Sequence, residues 1–383
     1  MKKILALLGL ALCGIAAFAQ ALPAPEIAAR QYLLVDMNAQ QVLAEHNADA
    51  VVDPASLTQL MTAYLVFVAL HDHRVALDQK LTVSPRAKAE RKGGGSLMFV
   101  DTTLTPTVDE LLQGLIVDSG YDAAVVLAEG VGGSVDAYVA MMNRQAQAWG
   151  LKNTSFRNVT GQPEAGHRSS PRDLAAIAQH VVHDFPEYYH YYAQRDYKYN
   201  NIRQESGNLL LQRDASVDGL KAGYTDAAGY CLVASSQREF PNGKRRLLAI
   251  VMGADSLQGR ANESQKLLNW GFTSFDDVRL AEAGKPIGAP VQVWKGSQAT
   301  VGLGSADAVY VAVPKGEGDR LKTRIERTDP LVAPLAKGQR VGSLKVTTAS
   351  GTAIATIPLT VLEPVPEAGL LGRAWDAIRL WIK

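Results

Sequence analysis

Cysteine is almost absent from this chain. Its only cysteines are Cys13, in an apolar N-terminal stretch, and Cys231, far downstream. If the first leaves with that stretch, no internal disulfide can form, and stability has to come from a packed core. Cys231, within "GYCLVAS", reads as a small buried strand residue. An excess charge of either sign is also missing. Lys and Arg number 39 against 38 Asp and Glu, for a formal net charge of +1, which argues against a nucleic-acid partner. None of the 7 histidines has metal-ligand spacing, and "HDHR" at His71–Arg74 reads as a solvated helix end. No metal, cofactor or internal repeat is expected.

What is present is an ordinary globular composition, 47% apolar and 20% charged, in a chain long enough at 383 residues for two domains. The opening "MKKILALLGLALCGIAAFAQA" has a basic start, an apolar stretch and a small-x-small end. It reads as an export signal over 1–21, with a lipid anchor on Cys13 as the competing reading. "YLLVDMNAQQVLAEHN" then suggests two strands about a polar turn. Leu57, Leu60, Met61, Tyr64, Leu65 and Val68 follow with the period of a buried helix. Thr107 and Glu110 have capping-box spacing ahead of a second helix, which breaks at Asp118-Ser119-Gly120 and restarts. Further helices are expected from Ser134 to Trp149 and from Pro171 to Val182.

After Val217 the texture turns to strands, with Asn242-Gly243 supplying a hairpin turn. From about Phe275 short alternating runs punctuated by Gly and Pro suggest a separate β domain ending near Glu363. In the final "GLLGRAWDAIRLWIK", Leu371, Trp375, Ile378 and Ile382 share one face with Trp381 beside them, while Arg373, Asp376, Arg379 and Lys383 lie away from it. The segment is too short and too charged to span a bilayer and suits a helix lying on a membrane surface. Packing of the same face on the β domain is the alternative.

The chemical question sits in "DPASLTQLMTAY", where Ser56 is followed three residues later by Gln59. On the residues alone Ser56 is a helix N-cap, Ser119-Gly120 a turn and Lys221 a surface charge. Taken together, "DPASLT…LMTAY", "GGSLMF", "DSGYDAAVVLAE", "VDGLKAGYTDAAGYCLVAS" and "GRANESQKLLNWGF" resemble the serine D-alanyl-D-alanine carboxypeptidases, the low-molecular-mass penicillin-binding proteins, across about 25–363. The resemblance implies an α/β (α+β) transpeptidase-like domain over 22–274, with an antiparallel sheet and helices. A small β-sandwich-like domain over 275–363 and an amphipathic helix over 364–383 complete the expected chain.

The resemblance also implies site roles, several of them altered here. Ser56 matches the nucleophile. The lysine that would activate it is Gln59, and an amide has no protonation change near neutral pH. Ser119 matches a proton relay, and Tyr121 stands where an orienting asparagine is expected. Lys221 and Gly223 match a cleft strand, with Ala222 replacing a hydroxyl residue that binds the substrate's terminal carboxylate. Arg260 matches a further carboxylate-binding position. Gln162 and Lys88 depart from the family near the cleft, and His167 matches a loop-ordering position. The expectation is a degenerate homologue, exported to the periplasm and held at the inner membrane by its last helix. It keeps some affinity for peptidoglycan stem peptides ending in D-Ala-D-Ala, and weak or no reaction with β-lactams. The alternatives are an active or slow carboxypeptidase working through a Ser56 acyl-enzyme, with Lys221 as base through Ser119, and a purely structural scaffold.

Overall fold

The structure, a computed structural model, describes residues 22–241 and 243–382. The expected export signal, Cys13 and Asn242 of the expected turn lie outside them. β1 (Gln31–Asp36) and β2 (Gln41–His46) form an antiparallel pair. A 3-10 turn at Ala55–Thr58 then runs directly into α1 (Gln59–His71). Apart from half-buried Val68 and its last residue, α1 is buried throughout, as a helix without a polar face must be. α2 (Pro85–Ala89), α3 (Val108–Val117), α4 (Tyr121–Gly132), α5 (Val135–Ala148) and α6 (Pro171–Asp184) follow. Their starts are written in the sequence. Thr107 and Glu110 form the capping box of α3, and Ser134 and Ser170 cap α5 and α6.

After a short hairpin of β3 (Asp196–Tyr199) and β4 (Ile202–Glu205) come α7 (Leu210–Arg213) and β5 (Val217–Thr225). β6 (Gly229–Phe240), β7 (Gly243–Ala254) and α8 (Leu257–Ser274) complete this part. The sheet is antiparallel in the order β2-β1-β7-β6-β5. One face packs on α1, α3, α4, α5 and α6, the other on α8, so β6 and β7 read as continuous apolar runs. β5 stands at the edge of the sheet, which puts Lys221, Ala222 and Gly223 against the 3-10 turn. A Cβ on Gly223 would lie 3.0 Å from the Ser56 nitrogen. Cys231 is a buried free thiol on β6.

The remaining elements are β8 (Phe275–Ala281), β9 (Val291–Trp294), β10 (Thr300–Val301), β11 (Leu303–Gly304) and β12 (Val309–Pro314). β13 (Lys322–Arg327), β14 (Leu331–Val332), β15 (Arg340–Thr347), β16 (Ala353–Val361) and α9 (Leu370–Ile382) end the described chain. Sheets β10-β9-β14 and β11-β16-β15-β13 enclose one small core around Val293, Leu303, Leu335 and Val361. β12 pairs with β8, so Ala24–Arg279 and Tyr310–Lys315 form one compact unit, and Leu280–Val309 with 316–382 the other. Backbone hydrogen bonding between β8 and β12 is the physical reason: a strand belongs with the strand it pairs.

α9 meets its own unit through polar groups. Asp376 Oδ2 accepts from the Lys295 backbone nitrogen at 2.7 Å, and the Arg379 guanidinium lies 5.4 Å from the centroid of the Trp294 ring. Leu371 (90% exposed) and Trp381 (88%) project outward with Trp375, Ile378 and Ile382. No single helix among the described residues is long and apolar enough to cross a membrane.

Candidate functional site

Ser56 is carried by the 3-10 turn and is not the N-cap of α1; that place is Thr58, whose side chain caps nothing. The turn is held from several sides. Asp53 Oδ1 accepts from the Ala55 nitrogen at 2.8 Å, and Asp53 Oδ2 from the Thr225 hydroxyl at 3.2 Å. Ala55 sits at φ +49°, a strained conformation for a residue with a Cβ, and Gly161 packs against its carbonyl so closely that no side chain fits there. His167 accepts from the Arg157 nitrogen on Nδ1 at 3.0 Å, which leaves Nε2 to donate to the Thr58 hydroxyl at 2.7 Å. Burial holds that imidazole below its ordinary pKa, so it serves as a neutral tie for the loop.

Gln59, 1% exposed, donates from Nε2 to the carbonyls of Ser119 and Thr160, both at 3.1 Å. Both amide N–H bonds are thereby used, and Oε1 is buried without a partner. Ser119, between α3 and α4, takes φ +68°. Its hydroxyl accepts from Lys221 Nζ at 2.5 Å. The same nitrogen donates to the carbonyls of Leu115 at 3.0 Å and Ile116 at 3.2 Å, groups that the C-terminus of α3 leaves unpaired. Burial drives the Lys221 ammonium down to about 7, opposed by the charge of Asp118 and reinforced by Arg260. Asp118 is itself pushed up to about 7 by burial, against the pull of Lys221. Gln204 holds Asp118 Oδ2 at 2.9 Å.

Tyr121 opens α4 and is only 6% exposed. Its ring lies on Gly95, where a Cβ would overlap it, and its phenol faces the Ser56 hydroxyl. Burial raises its pKa, a hydrogen bond with Ser56 opposing, so it is a neutral phenol. Ala222, on β5, offers a methyl to the core shared with α8. Arg260, on α8, donates to the Gly223 carbonyl at 2.9 Å and the Gly207 carbonyl at 2.8 Å, bracing the end of β5.

Ser56, Gln59, Ser119, Tyr121, Lys221 and Gly223 therefore gather around one place, with Arg260 bracing it, whereas Lys88 forms an ion pair with Asp101. Sequence reasoning missed Thr160, Asp118, Gln204 and Gly95. Thr160 acts through its carbonyl, which no side-chain motif can announce. Gly95 had a signal in the "GGG" run, whose middle residue alone takes positive φ.

A serine on a 3-10 turn, faced by an edge-strand lysine and enclosed between a helical layer and an antiparallel sheet, defines the penicillin-binding-protein class of fold. Residues 18–256 match the family model described as D-alanyl-D-alanine carboxypeptidase, and 275–367 match that of the penicillin-binding protein 5 C-terminal domain. The chain belongs to the D-alanyl-D-alanine carboxypeptidase family of low-molecular-mass penicillin-binding proteins. It is 39% identical over 361 residues to D-alanyl-D-alanine carboxypeptidase DacA of Haemophilus influenzae, covering 94% of this chain and 91% of that one. It is 40% identical over 368 residues to DacC of Escherichia coli, covering 94% and 90%. The crystal structure of penicillin-binding protein 5 from Haemophilus influenzae superposes with a TM-score of 0.85, at 39% identity, over 90% of this chain and 100% of that one.

Proposed function

We propose that this family member is catalytically silenced, keeping the fold and a site for peptidoglycan stem peptides while leaving Ser56 without a base. One observation carries this reading: the group at the activating position is a carboxamide whose two N–H bonds are spent on the carbonyls of Ser119 and Thr160. It can accept a hydrogen bond and cannot accept a proton. Loss of general-base help costs about 10²–10⁴-fold. Ala222 adds to the deficit by offering no hydroxyl to a substrate carboxylate. The exported chain would stand in the periplasm, its last helix lying on the inner membrane, a reading supported by the outward apolar face of α9.

A second reading has its own support. The curated relatives are carboxypeptidases, and Lys221, driven down to about 7, touches Ser119. Lys221 would then take the Ser56 proton through Ser119, a slow D-Ala-D-Ala carboxypeptidase resulting. Intact mass after incubation with excess penicillin separates the two. The silenced reading expects no adduct on the natural chain and a full one on the variant carrying Gln59→Lys, Tyr121→Asn and Ala222→Thr. An adduct on the natural chain that vanishes with Ser56→Ala would overturn the silenced reading, and release of D-Ala from a stem peptide by the same chain would then carry the second.

A further inference from the structure

The altered base explains why Ser56 would not react, and leaves Tyr121 unexplained. A tyrosine is not required to disable a site that already lacks its base. Its ring is buried, rests on the backbone of Gly95 and brings its phenol to Ser56. Its own backbone nitrogen donates to the Ser96 carbonyl at 2.9 Å, tying the start of α4 to the end of the same glycine segment. At the other end, the Gln162 amide lies where a Cβ on Gly93 would be, 2.8 Å from Nε2, and donates to Glu90 Oε2 at 3.2 Å. Gly93–Gly95 is thus a strap held between Tyr121 and Gln162, two side chains that both depart from the family pattern. Between them Gly94 takes φ +74° with open space around it, a point about which the strap can bend.

We propose that Tyr121, locked under the Gly93–Gly95 strap, is a specificity-determining gate that governs access of acyl donors to Ser56 independently of Gln59. A peptide carbonyl must come within bonding distance of the Ser56 oxygen, the place the phenol faces. Entry therefore requires the ring to swing away, and with the ring seated on Gly95 the strap has to move with it. Gln162 anchors the far end through Glu90. Admission and activation are separate functions of separate residues, so each is restored by its own substitution. The gate rests on the stem-peptide reading above for its choice of ligand, and not on whether Ser56 is silent.

The test uses the full chain and an N-acylated tripeptide ending in D-Ala-D-Ala as probe, with affinity read by calorimetry. Tyr121→Asn and Tyr121→Ser are expected to bind the peptide about tenfold or more tighter than the natural chain. Neither is expected to gain a penicilloyl adduct, because Gln59 remains. Gly95→Ala, which displaces the ring, is expected to tighten binding in the natural background and to change nothing beside Tyr121→Asn, where no ring remains to displace. In the Gln59→Lys background, adding Tyr121→Ser, which removes the ring without restoring the asparagine, is expected to raise the rate of penicillin acylation about tenfold at low penicillin concentration. Unchanged peptide affinity in both Tyr121 variants, with thermal melts showing them folded, overturns the gate. So does a Gly95→Ala effect of equal size with and without Tyr121. A Ser56 adduct on the natural chain would overturn the silenced reading alone, and the affinity ratios would still decide the gate.

Discussion

Lys221 Nζ lies 2.5 Å from the Ser119 hydroxyl, with its other donors on the carbonyls of Leu115 and Ile116. Three acceptors suit the three N–H bonds of an ammonium, while burial works against the charge and lowers the pKa from 10.5 to about 7. The sign of the consequence is fixed. Above pH 7 the folded chain has released this proton and the unfolded chain still holds it, so the contribution of Lys221 to stability rises with pH until about 10.5. Relative to Lys221→Met, the natural chain should gain stability from pH 7.5 to 9 at up to about 1.4 kcal/mol per pH unit. Asp118 titrates between 3.8 and about 7, mostly below this window. Urea unfolding at both pH values checks it, and a pH-independent difference would show that Lys221 does not titrate there.

Gln59 faces two carbonyls, which sets the outcome of its nearest isostere. In Gln59→Glu a carboxylate oxygen would meet the Ser119 and Thr160 carbonyls in place of an N–H donor. Burial and repulsion raise the folded pKa above the unfolded value, so the penalty is absent in acid and sets in as pH rises. The variant should lose about 3 kcal/mol at pH 8 and clearly less at pH 5. Melting temperatures at the two values report it, and an equal loss at both would mean the carboxylate finds a donor.

Two glycines of positive φ should respond very differently to alanine. Gly161 takes φ +89° with its missing side chain pointed at the Ala55 carbonyl, whereas Gly133 takes φ +78° in open space. Gly133→Ala should cost about 1 kcal/mol from backbone strain alone, and Gly161→Ala at least about 2 kcal/mol more, because the serine turn has to move. Calorimetric melts of the pair test this. Equal losses would mean that the turn is not braced by Gly161.

The outward face of α9 makes a prediction about vesicles. Burying a large apolar side chain contributes about 1.5–3 kcal/mol, so Trp375→Ala with Trp381→Ala should weaken sedimentation with anionic liposomes by about tenfold or more. Asp376→Ala, which removes a negative charge and the bond to the Lys295 nitrogen, should not weaken it and should strengthen it modestly. If the tryptophan pair has no effect, this face is not what meets lipid.

The fold was largely legible in the sequence because its signals are local. The capping box at Thr107 and Glu110, the buried period of α1 and the serine caps of α5 and α6 all act within a few residues. Where partners are distant, legibility failed. Ser56 at the head of an apolar run has the spacing of an N-cap, but Asp53, Gly161 and Gly223 draw it into a separate 3-10 turn. The polar partners of Gln59 lie at positions 119 and 160, and the carbonyls met by Lys221 belong to a helix end more than a hundred residues away. The return of β12 to β8 was invisible because both strands read as ordinary parts of the β domain.

The placement of Lys221 bears on how such chains change over time. Its nitrogen rivets the end of α3 to the edge strand through two backbone carbonyls, a mechanical task that survives whether or not any acyl group is ever transferred. Selection for a folded protein is then enough to retain this lysine, and the same holds for the donor at Gln59, which ties the carbonyls of Ser119 and Thr160, whereas Ala222 contributes only a methyl to the core. In this chain the strand lysine is as much a rivet of the architecture as a member of the site.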